Sequence, residues 1–169
     1  MIKFKLSLLI TICSFNSYSQ AKSSIGLAGT FNYPAASNYK LGYGQSLTAD
    51  IKISNKLALS PSIEHEKINA TVIGNNAKRT LNLYLFRLTG KYYFTNHLFA
   101  DAGALLYLGG DQGVIAGGLA ATGSAGYQFQ LTQLTFIETS LWSHLVSLYE
   151  NNATPVLGIK VGFKFNLKK

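Results

Sequence analysis

From residue 20 onward the chain repeats one pattern, an apolar side chain at every second position with a small or polar residue between. In "SIGLAGTFNY", residues 24 to 33, Ile25, Leu27, Phe31 and Tyr33 share one parity, and Ser24, Gly26, Ala28, Thr30 and Asn32 share the other. Successive side chains of an extended strand point to opposite faces, so such a run is a strand with one oily and one polar side. The same alternation marks 43–54, 57–67, 80–94, 98–108, 116–129, 134–145 and 155–167, which predicts eight strands. No stretch after residue 20 offers about 18 consecutive apolar residues, so the chain holds no helix able to cross a bilayer. Sixteen Gly and ten each of Tyr and Phe, against three Pro, fit strands and tight turns better than long helices.

The links between these runs are expected to alternate in length. Short polar turns fall at 54–56, 95–97 and 130–133, and longer connections at 34–42, 68–79, 109–115 and 146–154. Short turns at one end and longer loops at the other are the pattern of an up-and-down barrel that spans an outer membrane. Charge gives an independent test. Five of the seven acids (Asp50, Glu64, Glu66, Asp101, Glu138) take the non-oily parity of their strands, and so do five bases, Lys52, Arg87, Lys91, Lys160 and Lys164. These ten are the candidate lumen network. An eight-stranded barrel is only wide enough for its side chains to fill, so charges inside must pair or hydrogen-bond, and a matched set does so. The positive excess is left to loops, turns and ends at Lys22, Lys40, Lys56, Lys67, Lys78, Arg79, Lys168 and Lys169. Two strands strain the pattern. Keeping Arg87 and Lys91 inside turns Leu83 and Leu85 inward unless a bulge resets the parity, and Pro61 removes a ladder donor in mid-strand.

Residues 1–19 read apart from the rest. Lys3 and Lys5 precede an apolar run from Leu6 to Phe15, and Ser17, Tyr18 and Ser19 precede a cut that leaves Gln20 first. This is the form of a secretory signal peptide, with 20–169 as one barrel domain. The single cysteine, Cys13, lies inside the signal, so the mature chain is expected to hold no disulfide, thiol nucleophile or thiolate metal site.

The segments "RLTGKYYF" (87–94), "LFADAGALLYLGG" (98–110), "GLAATGSAGYQFQ" (118–130) and "LTFIETSLW" (134–142) resemble the outer-membrane β-barrel domain of porin-family proteins, common in Bacteroidetes. The resemblance covers roughly residues 20 to 167 and implies a small OmpX/OmpA-like barrel in the bacterial cell outer membrane. "GFKF" near the end is similar to the terminal strand that the barrel assembly machinery reads, although Asn166 to Lys169 follow it. Where the family often carries an interior Arg before an aromatic, this chain has Ser140 and Leu141.

The sequence reading is therefore an all-β, eight-stranded antiparallel up-and-down transmembrane barrel with a plugged, polar lumen. Its expected role is in outer-membrane structure and in surface interaction through its loops, with outer-membrane lipids and lipopolysaccharide as partners. It is expected to act as a monomer, without nucleic acid, metal or cofactor, and not as an enzyme. Two alternatives stand beside it. Ser143, His144 and Ser147, with Glu138 or Glu150, allow a membrane-embedded lipid hydrolase or acyltransferase, which needs base and nucleophile within hydrogen-bond reach. A secreted lipocalin-like carrier would instead need an oily interior. His65, His97 and His144 have no metal-ligand spacing and are expected at strand ends or in a turn.

Overall fold

The computed structural model describes residues 23–35, 39–71, 78–111, 114–147 and 153–167. The proposed signal segment, Cys13 and Glu150 lie outside them. The described residues form eight antiparallel strands: β1 (Ser24–Pro34), β2 (Tyr39–Lys52), β3 (Leu57–Thr71), β4 (Lys78–Tyr93), β5 (Leu98–Asp111), β6 (Val114–Gln130), β7 (Thr135–Ser147) and β8 (Ala153–Asn166). Each pairs with its sequence neighbours, and β1 closes on β8 from Ser24↔Asn166 to Pro34↔Val156, so the sheet has no free edge. Closure supplies every strand with hydrogen-bond partners on both sides.

Alternation sorts the side chains as the sequence parity requires. Leu27, Phe31, Ile63, Leu88, Leu141, Ile159, Val161 and Phe163 stand on the outer face, while Thr30, Asp50, Glu64, Lys91 and Lys160 are buried inside. Aromatic side chains cluster where strands meet the turns near the termini. Tyr92 meets Phe94, Tyr127 meets Phe129 and Phe163 meets Phe165 on the outer surface, with ring centroids 5.1, 4.7 and 4.9 Å apart.

Three sequence expectations are corrected, and one left open is settled. The connections at the end away from the termini are not long: the strands run on until only 35–38, 72–77, 112–113 and 148–152 lie between them, beside 53–56, 94–97 and 131–134 at the other end. Pairing continues there because the strand extensions bury a second interior core. Ile68, Leu81, Leu83, Leu85, Leu105, Tyr107, Trp142, Val146 and Val156 pack together inside that half of the barrel. The same fact settles β4, whose register with β3 and β5 is unbroken, so no bulge intervenes and Leu83 and Leu85 do face inward. Lys40, Lys67, Lys78 and Arg79 accordingly lie in strands and not in loops. His65 and His144 lie within β3 and β7, and of the three histidines only His97 sits in a turn.

Pro61 is accommodated without loss of the strand. It pairs with Leu88 on the β4 side, while the β2–β3 register skips from Thr48↔Ser62 to Ile51↔Leu59, so the missing N–H falls in a gap of that ladder. Two glycines are required by geometry. Gly109 has φ +155°, and a Cβ there would run into the Asn82 carbonyl. At Gly158 a Cβ would collide with the Trp142 ring, which lies inside the barrel against β8. The inner core generates a prediction. Leu83→Ala should lower unfolding stability in urea by about 2–5 kcal/mol, the range for emptying a packed interior site, whereas Leu88→Ala on the outer face of the same strand should cost clearly less. Equal losses would contradict the assigned parity.

Candidate functional site: the barrel lumen

The interior is layered along the barrel axis because inward positions of adjacent strands fall into register. Nearest the termini, two acids and two bases from four strands interlock. Lys164 Nζ lies 2.7 Å from Asp50 Oδ2 and 3.0 Å from Glu138 Oε1. Lys91 Nζ lies 3.3 Å from Asp50 Oδ2 and pairs closely with Glu138 Oε2. Each carboxylate thus meets both ammonium groups. Neutral groups complete the coordination: Ser60 Oγ donates to Asp50 Oδ1, and Gln128 Nε2 donates to Glu138 Oε2 at 2.8 Å. Lys91 Nζ also sits 3.7 Å from the Phe99 ring centroid, and Lys52 Nζ caps the mouth 3.0 Å from the Tyr93 ring centroid. Both are cation–π placements. Asp101 stands to one side, accepting a hydrogen bond from Ser124 Oγ.

The next layer is built around Glu64. Its Oε1 meets Lys160 Nζ at 2.8 Å and Arg87 Nε at 3.2 Å, and accepts a hydrogen bond from Ser62 Oγ at 2.8 Å. Above it lies Glu66, fully buried, which accepts from Asn32 Nδ2 at 3.2 Å and faces His144 Nε2 at 4.0 Å. The His144 ring stacks on Trp142, with centroids 4.6 Å apart. Trp142 in turn belongs to the apolar core, so charge gives way to hydrocarbon across this pair.

All ten sequence-derived lumen candidates stand on the inward parity. Asp50, Glu64, Glu66, Arg87, Lys91, Glu138, Lys160 and Lys164 are buried, whereas Asp101 is half-buried and Lys52 half-buried at the mouth. Three clusters result, with Glu66 in the last and Asp101 apart. The neutral partners Asn32, Ser60, Ser62, Gln128 and His144 were not singled out as network members, although their inward parity was readable from the same alternation. Ser140 points inward and Leu141 outward at the position where a family arginine was expected.

Free space among the charges is small, and a wider vestibule of about 430 Å³ opens at the mouth beside Lys52 and Tyr93. The gap among Asp50, Arg87, Lys91, Glu138, Lys160 and Lys164 measures about 10 Å³, close to the room one water needs. Among the described residues no three His, Cys, Asp or Glu side chains converge as a metal site. Ser143 and His144, adjacent in β7, fall on opposite faces, and His144 is directed at Glu66 inside the barrel.

No protein-family model matches the chain, and no curated protein matches it by sequence. Solved structures do match in fold. The chain is similar to Neisserial surface protein A (TM-score 0.65, 11% identity, 87% of this chain and 98% of that one). It is similar to the outer membrane protein OprG of Pseudomonas aeruginosa (TM-score 0.63, 11% identity, 90% and 99%). It also matches Ail, the attachment invasion locus protein of Yersinia pestis (TM-score 0.58, 14% identity, 88% and 100%). At such identities the likeness concerns the fold, a closed eight-stranded barrel of the kind these outer-membrane proteins share.

The four-membered ion cluster makes a testable claim. Lys91→Met leaves Asp50 and Glu138 to share one ammonium, and breaking a buried pair costs about 3–5 kcal/mol. Adding Glu138→Leu removes the surplus charge and leaves the Asp50–Lys164 pair at 2.7 Å. Urea titration of the double variant should recover most of the single variant's loss. A double variant that loses the sum of both single changes would contradict the pairing.

Proposed function

We propose that the chain is an integral protein of the bacterial cell outer membrane, delivered there after export by a cleaved signal peptide. It acts in outer-membrane structure and in surface interaction through the connections at the end away from its termini. One observation carries this reading: the barrel is inside out relative to a water-soluble protein. Its outer face is dominated by Leu, Ile, Val and Phe, while Asp50, Glu64, Lys91 and Lys164 are buried within. In hydrocarbon every backbone group must be satisfied by the protein itself, and a closed ladder meets that demand. A charge left facing lipid would cost about 2–4 kcal/mol at the bilayer midplane, and the inward placement avoids this.

The lumen supports a plugged barrel and not a channel. Ion clusters fill one half and an apolar core the other, with about 10 Å³ free among the charges. A lipocalin-like carrier would need the reverse polarity, with an oily interior to hold its cargo. The lipid-modifying enzyme is disfavoured by His144, the one base proposed for it, which lies inside the barrel against Trp142 and on the opposite face of β7 from Ser143. Surface interaction draws support from the similar folds, which include a surface protein and an attachment protein, the latter also solved with the heparin analogue sucrose octasulfate. Outer-membrane lipids and lipopolysaccharide are the proposed lasting neighbours, the barrel assembly machinery a transient one, and the barrel is proposed to work as a monomer.

Three measurements check this. The native protein should fractionate with the outer membrane and migrate differently on gels before and after boiling; recovery in a detergent-free soluble fraction would end the reading. Val161→Arg, at an outward position of β8, should lower stability in vesicles by about 2–4 kcal/mol. Planar-bilayer recordings should show no sustained open channel, and a steady conductance would refute the plug.

A further inference from the structure

Besides Thr139 and Ser143 on β7, the outward apolar field is interrupted by a row that crosses four strands. Gly29, Gln45, His65 and Tyr84 form a single cross-strand row, because Gly29 pairs with Gln45, Gln45 with His65 and His65 with Tyr84. Nothing lies within 4 Å of where a Gly29 Cβ would be, so the row is notched there. The notch opens into an outer groove of about 950 Å³, walled by Leu27, Leu47, Ile63, Val161 and Phe163. Gln45 and His65 stand at the middle of their strands, where the other outward residues of β2 and β3 on the side of the termini are apolar or proline. The His65 ring stacks on Tyr84 at 4.9 Å, and among the described residues no hydrogen bond reaches it or the Gln45 carboxamide. A polar group that faces hydrocarbon without a partner is costly. Whatever fills the groove must therefore supply hydrogen-bond acceptors at that depth.

Polarity along the groove changes in one direction. Toward the termini the outward walls are apolar; next comes the Gln45–His65–Tyr84 row; just beyond the groove, one outward step further along β3, is Lys67, with its Nζ 5.8 Å from the Tyr43 ring centroid. This order matches a lipid of the leaflet away from the termini, from acyl chain through ester carbonyls to phosphate. Resting on the membrane reading above, we propose that this groove binds one anionic, acyl-chained phosphate lipid of that leaflet. An acyl chain lies over Gly29 between Leu27 and Val161, Gln45 and His65 donate to its carbonyl oxygens, and Lys67 holds the phosphate. A second copy of the barrel fits less well, because no acidic side chain stands at the described outward positions to meet Lys67.

The test refolds the full chain into nanodiscs of phosphatidylcholine with a minority of phosphatidylglycerol, releases it into mild detergent and weighs it by native mass spectrometry. The wild type should retain one phosphatidylglycerol about fivefold over its share, the gain one lysine near an anionic headgroup provides. Gly29→Leu should fill the notch and lose bound lipid while still shifting on gels with heat, and Lys67→Gln should keep lipid but lose the headgroup preference. Retention by Gly29→Leu equal to wild type overturns the site, as does a lipid-free dimer of the wild type. Entry into the disc without headgroup preference also sinks this proposal alone. Failure of the wild type to enter the disc as a heat-modifiable barrel overturns the membrane reading beneath it.

Discussion

Closure of the β1–β8 ladder is the constraint from which the rest of this molecule follows. Once Ser24 to Pro34 pair with Asn166 to Val156, every side chain is committed to one of two environments, and a one-residue slip anywhere would exchange them. Charges are gathered inside, where they can pair, and the outer face is left to apolar side chains. The two faces therefore had to be composed separately, and the composition of each is legible in the alternation.

The interior solves its own problem in two ways. Toward the termini, Asp50, Glu138, Lys91 and Lys164 share charge so that no carboxylate depends on a single partner. In the other half the need for partners is removed, because Leu81, Leu83, Leu85, Val146 and Val156 carry no polar atoms to satisfy. The boundary between these solutions is the weak layer. Thr30 Oγ1, Asn32 Oδ1, Glu66 Oε1, Trp142 Nε1 and His144 Nε2 are all buried there without a hydrogen-bond partner among the described residues. Unsatisfied buried polar atoms cost more than a lost bond returns, so this layer concentrates the strain of joining an ionic core to an apolar one.

What the sequence disclosed and what it withheld divide along locality. Strand number, the facing of Asp50 or Ile159 and the equality of buried acids and bases depend only on parity within a segment, and all were legible. Which acid meets which base was not, because Lys164 and Asp50 are 114 residues apart and only the register of the closed sheet joins them. Strand ends at the far side failed for a related reason. Residues 68 to 71, 78 and 79 look like loop when read alone, since the core that holds this half extended borrows Val146 and Val156 from the last two strands. His144 shows both sides: its inward parity was present in the alternation, but the expectation of a strand-end histidine overrode it, and Glu66 and Trp142 explain its place only in three dimensions. Gln45 was passed over, and His65 was weighed only as a metal ligand, although they share parity with Leu47 and Ile63.

The account stands or falls on the direction of the side chains in β8. Single spin labels placed in turn at 156, 157, 159, 160, 161, 163 and 164, in a Cys13→Ser background reconstituted into lipid vesicles, can be scored for collision with oxygen, which dissolves in hydrocarbon, and with a water-soluble nickel chelate. Labels replacing Leu157, Ile159, Val161 and Phe163 should collide freely with oxygen and rarely with nickel, while those replacing Val156, Lys160 and Lys164 should be shielded from both. A profile without that two-residue period, or one with the oxygen-accessible positions at Lys160 and Lys164, would contradict it.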